Sequence, residues 1–293
     1  VYGYAGNDTI DLSGVDDADF TALAASGAIR IEGGAGDDDL FMPGITDHLA
    51  LTVDAGATVN VVVPGDPDPV PGPCSMGDSS TLTVNGTLNA TNLNSSGTVG
   101  GSGTIAAEAQ LGGIVAPGSG SGNGLGVLTM QGELTFAATA TYDVDITAAG
   151  ADLVQAPANT INLDGTLAAT VTGRPIPDPV AGAPFTDCGL VPIVTATPEN
   201  LLGSFSGPPV RVTSAFGPPT PAGWQDAHLG QGMFYDGTLS GPAGQVSVFQ
   251  ARAGDTQGDK PGAGPGASKL GDVDFWDYFA LLTNFDGGFP TFP

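Results

Sequence analysis

Short, hard carboxylate oxygens dominate the chemistry this sequence offers: 27 Asp stand against four Glu and six Lys plus Arg, for a net charge of −25. They fall into clusters on glycine turns. Gly3-Tyr-Ala-Gly6-Asn-Asp8-Thr-Ile10-Asp11 returns as Gly33-Gly-Ala-Gly-Asp-Asp38-Asp-Leu40-Phe41. Near the other end, Asp255, Gln257 and Asp259 precede Gly271, Asp272, Asp274 and Asp277. Carboxylates and carbonyls gathered on tight turns are the donor set for a hard divalent cation, calcium above all. At Asp8 and Asp38 two readings stand, a calcium site and a purely turn-forming role. An Asp-rich, Glu-poor surface suits a compartment where calcium is millimolar, and it equally suits a merely soluble acidic surface.

Other chemistry is sparse. No pair of carboxylates sits in a recognisable hydrolase motif, and no Gly-x-Ser-x-Gly comes with a partnering His and acid; Ser119 lies in a Gly-rich turn. His48 and His228 read as surface or turn residues rather than bases or ligands. Six scattered cations form no basic stripe, so nucleic acid and anionic lipid are excluded as partners. The same scarcity argues against lysis of acidic sugars and leaves neutral-glycan binding open. The chain is therefore expected not to be an enzyme. Cys74 in PVPGPCSMGD and Cys188 in APFTDCGLVP suit one long-range disulfide formed in an oxidising compartment, with two free thiols as the alternative. A start at Val1, with no signal peptide or apolar span, points to a mature or truncated product of a longer precursor.

The elements that must position these groups are strands. Thr, Val, Leu and Gly in short alternating runs, punctuated by Asn-Gly, Asp-Gly and 24 Pro, make the class all-β, and a hydrophobic fraction of 41% allows a sizeable core. Leu82-Thr-Val-Asn-Gly86-Thr-Leu88 recurs as Leu128-Thr-Met-Gln-Gly132-Glu-Leu134 and Ile161-Asn-Leu-Asp-Gly165-Thr-Leu167, with a looser copy from Leu51 to Val59. Each reads as a short strand, a bend and another strand, at unequal spacing. Such a unit cannot bury its apolar face alone, so neighbours must stack on it, which is the logic of a β-solenoid. The run Gly97-Thr-Val-Gly-Gly-Ser-Gly-Thr-Ile105 is either a solenoid corner or a flexible linker; Val99 and Ile105 favour the corner.

Three resemblances follow from these residues. Gly113-Ile-Val-Ala-Pro-Gly118, Gly126 to Leu134, Tyr142-Asp-Val-Asp-Ile146, Ala151-Asp-Leu-Val154 and Leu163 to Leu167 resemble the passenger-associated strand repeat of autotransporters. Gly203-Ser-Phe-Ser-Gly207 and Gln245-Val-Ser-Val-Phe249 resemble the segment that caps such solenoids. That resemblance implies a right-handed parallel β-helix displayed outside the cell, structural rather than catalytic. The two Gly-Asp segments resemble RTX nonapeptides, which implies calcium bound between coils through Asp8 and Asp38, although the copies are 30 residues apart rather than tandem and the stretch from Asp16 to Ser26 between them reads as a short helix. From Gly254 the chain resembles half of a type I dockerin, a calcium loop leading into a helix, which implies calcium ligands among Asp255, Gln257, Asp259, Asp272, Asp274 and Asp277, with the loop either split by residues 260–270, which the family pattern lacks, or reduced to Asp272, Asp274 and Asp277.

That helix would hold Phe275, Trp276, Tyr278, Phe279, Leu281, Leu282 and Phe285, apolar nearly all round, and must be covered either by its own solenoid or by a neighbouring copy. The expected layout is an RTX-like N-terminal cap over 1–45, solenoid repeats over 46–175, a β-rich capping region over 176–252, and a Gly/Pro tether with calcium loop, helix and tail over 253–293. The expected function is an extracellular or cell-surface structural or adhesive subunit, calcium-stabilised, self-assembling as a homo-oligomer or filament. The alternative is a glycan-binding or scaffold-attached accessory module of an extracellular complex.

Overall fold

A computed structural model describes residues 1–15, 29–43, 46–63, 70–118, 124–147, 149–171, 189–205, 213–214, 231–234 and 244–252. Alternation decides the local structure: in Thr81–Val84, Leu82 and Val84 point inward while Thr81 and Thr83 point out, and the same two-residue rhythm runs through Leu49–Val53 and Thr141–Thr147. Strands with one apolar face pair in parallel with the next turn of the chain, giving an all-β, parallel, solenoid-like stack.

The strands fall into three strips. The first carries Ile29–Glu32, Leu49–Val53, Thr81–Val84, Thr98–Gly101, Ile114–Pro117, Thr141–Thr147, Thr166–Val171 and Thr213–Ser214 in spatial order. The second runs from Thr9–Asp11 and Asp37–Phe41 to Leu153–Ala156 and Gly189–Ala196. Two long strands, Thr87–Ser95 and Thr104–Leu111, join the second strip to a third that contains Pro73–Met76, Leu134–Phe136, Ile161–Leu163 and Leu201–Gly203. A register shift between Ala106 and Glu108 marks the bend. Strands within residues 1–45 belong to the same two sheets as those that follow.

One hydrophobic cluster extends from Ile10 to Phe205 and draws on all three strips. Each fully buried Leu, Ile or Val contributes about 1.5–3 kcal/mol. Coil length varies without loss of register: 30 residues from Asp8 to Asp38, 17 from Asn85 to Ser102, 26 from Gly126 to Asp152. The repeated Leu-x-x-x-Gly-x-Leu pattern marks a corner rather than a coil. Around Gly86 it turns from the first strip to the second, around Gly132 from the second to the third, and around Gly165 from the third to the first. Glycine is required where corners stack: a Cβ on Gly103 would lie 2.2 Å from the Gly86 carbonyl oxygen of the coil beneath. The Gly97–Ile105 run is thus strand Thr98–Gly101 with a corner after it, not a linker.

Toward the C-terminal end the core fills with rings. Phe205 lies 5.4 Å from Phe136 and 5.6 Å from Tyr142 between centroids, and the Tyr142 hydroxyl donates to the Ile193 carbonyl at 2.6 Å. Gln245–Arg252 pairs antiparallel with Gly189–Ala196, and Gln231–Phe234 adds outside it, so antiparallel strands cover the last parallel strand described in the second strip. Among the described residues there is no α-helix, and no helix is long and apolar enough to cross a membrane.

Candidate metal centre

The two Gly-Asp segments, 30 residues apart in sequence, are neighbours in space. Thr9 pairs with Asp39 and Ile10 with Leu40, which sets Asp8 on Asp38 and Gly3 on Gly33. The separation is one coil, so the copies stack as directly as tandem repeats would. Gly3 N–H donates to Glu32 O at 2.8 Å and Ala35 N–H donates to Tyr4 O at 3.0 Å, which fixes the turns against each other. Side chains continue the ladder: Asp8 N–H donates to Asp38 Oδ1 at 3.0 Å, Asp37 N–H to Asn7 Oδ1 at 3.2 Å, and Tyr4 N–H to Asp8 Oδ2 at 2.9 Å.

Asp38 is 1% exposed. Its second oxygen, Oδ2, is buried with no hydrogen-bond partner. Gly33 leaves the room this carboxylate occupies, since a Cβ there would stand 2.7 Å from Oδ2 and 2.8 Å from Val59 Cγ2. A buried carboxylate oxygen without a donor carries a desolvation cost that a hard cation would remove. The Asp8 and Asp38 carboxylates are hard oxygen donors of the kind calcium takes. Among the described residues no group of three or more acidic, His or Cys side chains could hold a metal, so a cation here would complete its shell with carbonyls and water.

A second buried aspartate escaped the sequence reading. Asp152 is also 1% exposed, but both oxygens are partnered: Gly126 N–H donates to Oδ1 at 2.8 Å and Asp145 N–H to Oδ2 at 2.9 Å. Burial, reinforced by the like charges of Asp145 and Asp143, pushes its carboxyl up to about 6 against the lowering effect of those two N–H groups. No protein-family model, curated protein or solved structure matches this chain. The chemistry of these sites therefore rests on their own geometry.

Cys74 is buried on Pro73–Met76, where desolvation pushes a thiol up to about 12; Cys188 lies outside the described residues. So do Asp255, Gln257, Asp259, Asp272, Asp274 and Asp277, the aromatic segment Phe275 to Phe285, His228, and the stretch from Asp16 to Ser26. His48 occupies a turn with φ 59°, in keeping with its reading as a turn residue.

Proposed function

We propose that this chain is an extracellular or cell-surface structural subunit, a calcium-stabilised β-solenoid that presents its strips as a scaffold or adhesive surface. The observation that carries the reading is the Asp8–Asp38 stack, with a buried Asp38 oxygen that lacks any donor. Calcium seated between these two coils would neutralise that charge and pin them together. In a chain of net charge −25, a divalent cation also reduces self-repulsion. The Asp255–Asp277 cluster is proposed as a second calcium site.

Removing calcium with a chelator tests the reading. At a free concentration near 100 times the dissociation constant, bound calcium stabilises by about 2.7 kcal/mol, so the melting temperature should fall by several degrees. An unchanged melt, with no calcium found by elemental analysis, overturns it. Self-assembly is the further part of the proposal, in keeping with repeat units that bury their apolar faces only by stacking. Electron microscopy of purified protein should show filaments or sheets; uniformly monomeric particles in calcium would end that part.

A further inference from the structure

The outer surface of the third strip is recessed. Three depressions of about 330, 430 and 570 Å³ share walls: Asn94 and Gln110 belong to the first two, Glu108 and Glu133 to the second and third. Together they form one trough running along the strands, floored by Thr87–Ser95, Thr104–Leu111 and Leu134–Phe136. Small residues open its ends, Gly77 and Gly112 at one and Gly132 and Ala158 at the other. At about 3.3 Å per residue the trough is about 20 Å long, and it is shallow and open to solvent along its length.

Its lining is chemically one-sided. Asn92, Asn94 and Gln110 supply amides, Thr135 a hydroxyl, and Glu108 and Glu133 carboxylates. Among the described residues, no Lys, Arg or aromatic side chain lines any of the three depressions. The Asn92 Oδ1 atom is buried without a partner. Glu133 is held in place by Asn162, whose Nδ2 donates to Oε1 at 2.7 Å. Because Ala109 pairs with Leu134, Glu108 and Glu133 stand side by side on adjacent coils. Like charges so placed are destabilising, and half of the chain's four Glu are spent there.

The geometry points to a binding site for a linear, neutral oligosaccharide lying along the third strip. Acceptors outnumber donors in the lining, so the ligand must donate hydrogen bonds, and side-chain amides ask it to accept some in return; sugar hydroxyls do both. Carboxylates without a cation reject uronic acids and sulfated sugars. Met76, itself 2% exposed, is the single large apolar side chain among the described lining residues, which gives a lipid or an apolar peptide little to grip. This site is independent of calcium at Asp38, so either reading can fail alone.

Isothermal titration of the full chain with cellohexaose, xylohexaose, mannohexaose, hexagalacturonate and hexalysine tests it. At least one neutral hexasaccharide should bind with a dissociation constant below about 1 mM, and neither charged probe should match it. The double variant N94A/Q110A should weaken binding about tenfold or more with an unchanged circular dichroism spectrum. On the unaltered protein, the bound sugar should shield Glu108 and Glu133 from carbodiimide labelling read by mass spectrometry, which keeps the test valid if the variant misfolds. No binding by any neutral probe, binding untouched by the variant, labelling unaffected by sugar, or tighter binding of hexalysine or hexagalacturonate would each overturn the proposal.

Discussion

Asp38 and Asp152 are equally buried, at 1% exposure, in opposite halves of the same stack, and their surroundings treat them differently. Around Asp152 the backbone closes completely: N–H groups from Gly126 and Asp145 reach both oxygens, tying a long coil to the end of Thr141–Thr147. Around Asp38 the backbone supplies one donor, Asp8 N–H, and leaves Oδ2 alone. Burial by itself thus says little about a carboxylate's role; the count of donors does. A satisfied aspartate acts as a structural clamp, and an unsatisfied one invites a ligand.

Removing the clamp should have the largest effect. Asp152→Ala leaves the buried Gly126 N–H and the part-buried Asp145 N–H without acceptors, at about 1–3 kcal/mol for a buried group, so urea denaturation should show a loss of about 2–4 kcal/mol, the same with and without calcium. A calcium-dependent loss would mean that Asp152 is a ligand too. Next comes Asp38→Asn. In calcium it should lose the stabilisation of about 2–3 kcal/mol and the response to chelator, whereas in chelator it should match or exceed the parent, because a buried charge is gone. If chelator still lowers its melt as far as the parent's, the relevant cation sits elsewhere, and truncation after Gly254 would show whether it is the Asp255–Asp277 cluster.

Gly33→Ala should cost about 1–2 kcal/mol by pressing a methyl on Asp38 Oδ2 and Val59, and should shrink the calcium response in the same step. A full calcium response in this variant would separate the Asp38 cradle from the metal. Smallest is a pH effect. Asp152 has a folded value of about 6 against an ordinary 3.8, so between these values the folded chain holds a proton that the unfolded chain has released. The contribution of Asp152 to stability must therefore rise as pH falls from about 6 toward 4 and level off below. Denaturation across that window, compared with Asp152→Asn, should show a slope in the parent that the variant lacks; parallel profiles would mean the clamp does not titrate there.

The strand class and the glycine corners were legible because alternation and the corner motif are local, and Asp8 and Asp38 stood out because the Gly-Asp segment occurs twice. Leu82, Gly86 and Leu88 announce a corner, yet nothing local says which corner it is; coils of 17 and 30 residues put the same motif at different positions around the stack. Asp152 looked like part of a strand repeat, since its donors at Gly126 and Asp145 come from elsewhere in the coil. The trough was hidden for a related reason. Asn94, Gln110 and Thr135 line up only once unequal coils are stacked, and no sequence interval connects them. The disulfide and the C-terminal aromatic helix remain sequence expectations, as Cys188 and Phe275 to Phe285 lie outside the described residues.

Unequal coils also give the molecule a mechanical grain. Tension applied along the stack would peel it one turn at a time, and each turn releases chain in proportion to its own length. At about 3.4 Å per residue, the 17-residue turn yields about 60 Å and the 30-residue turn about 100 Å. A surface anchored through such a stack would lengthen in steps that reproduce its coil sequence, with a 30-residue extension held between the coils that calcium is proposed to lock and a longer one, of 40 residues, between Val154 and Val194.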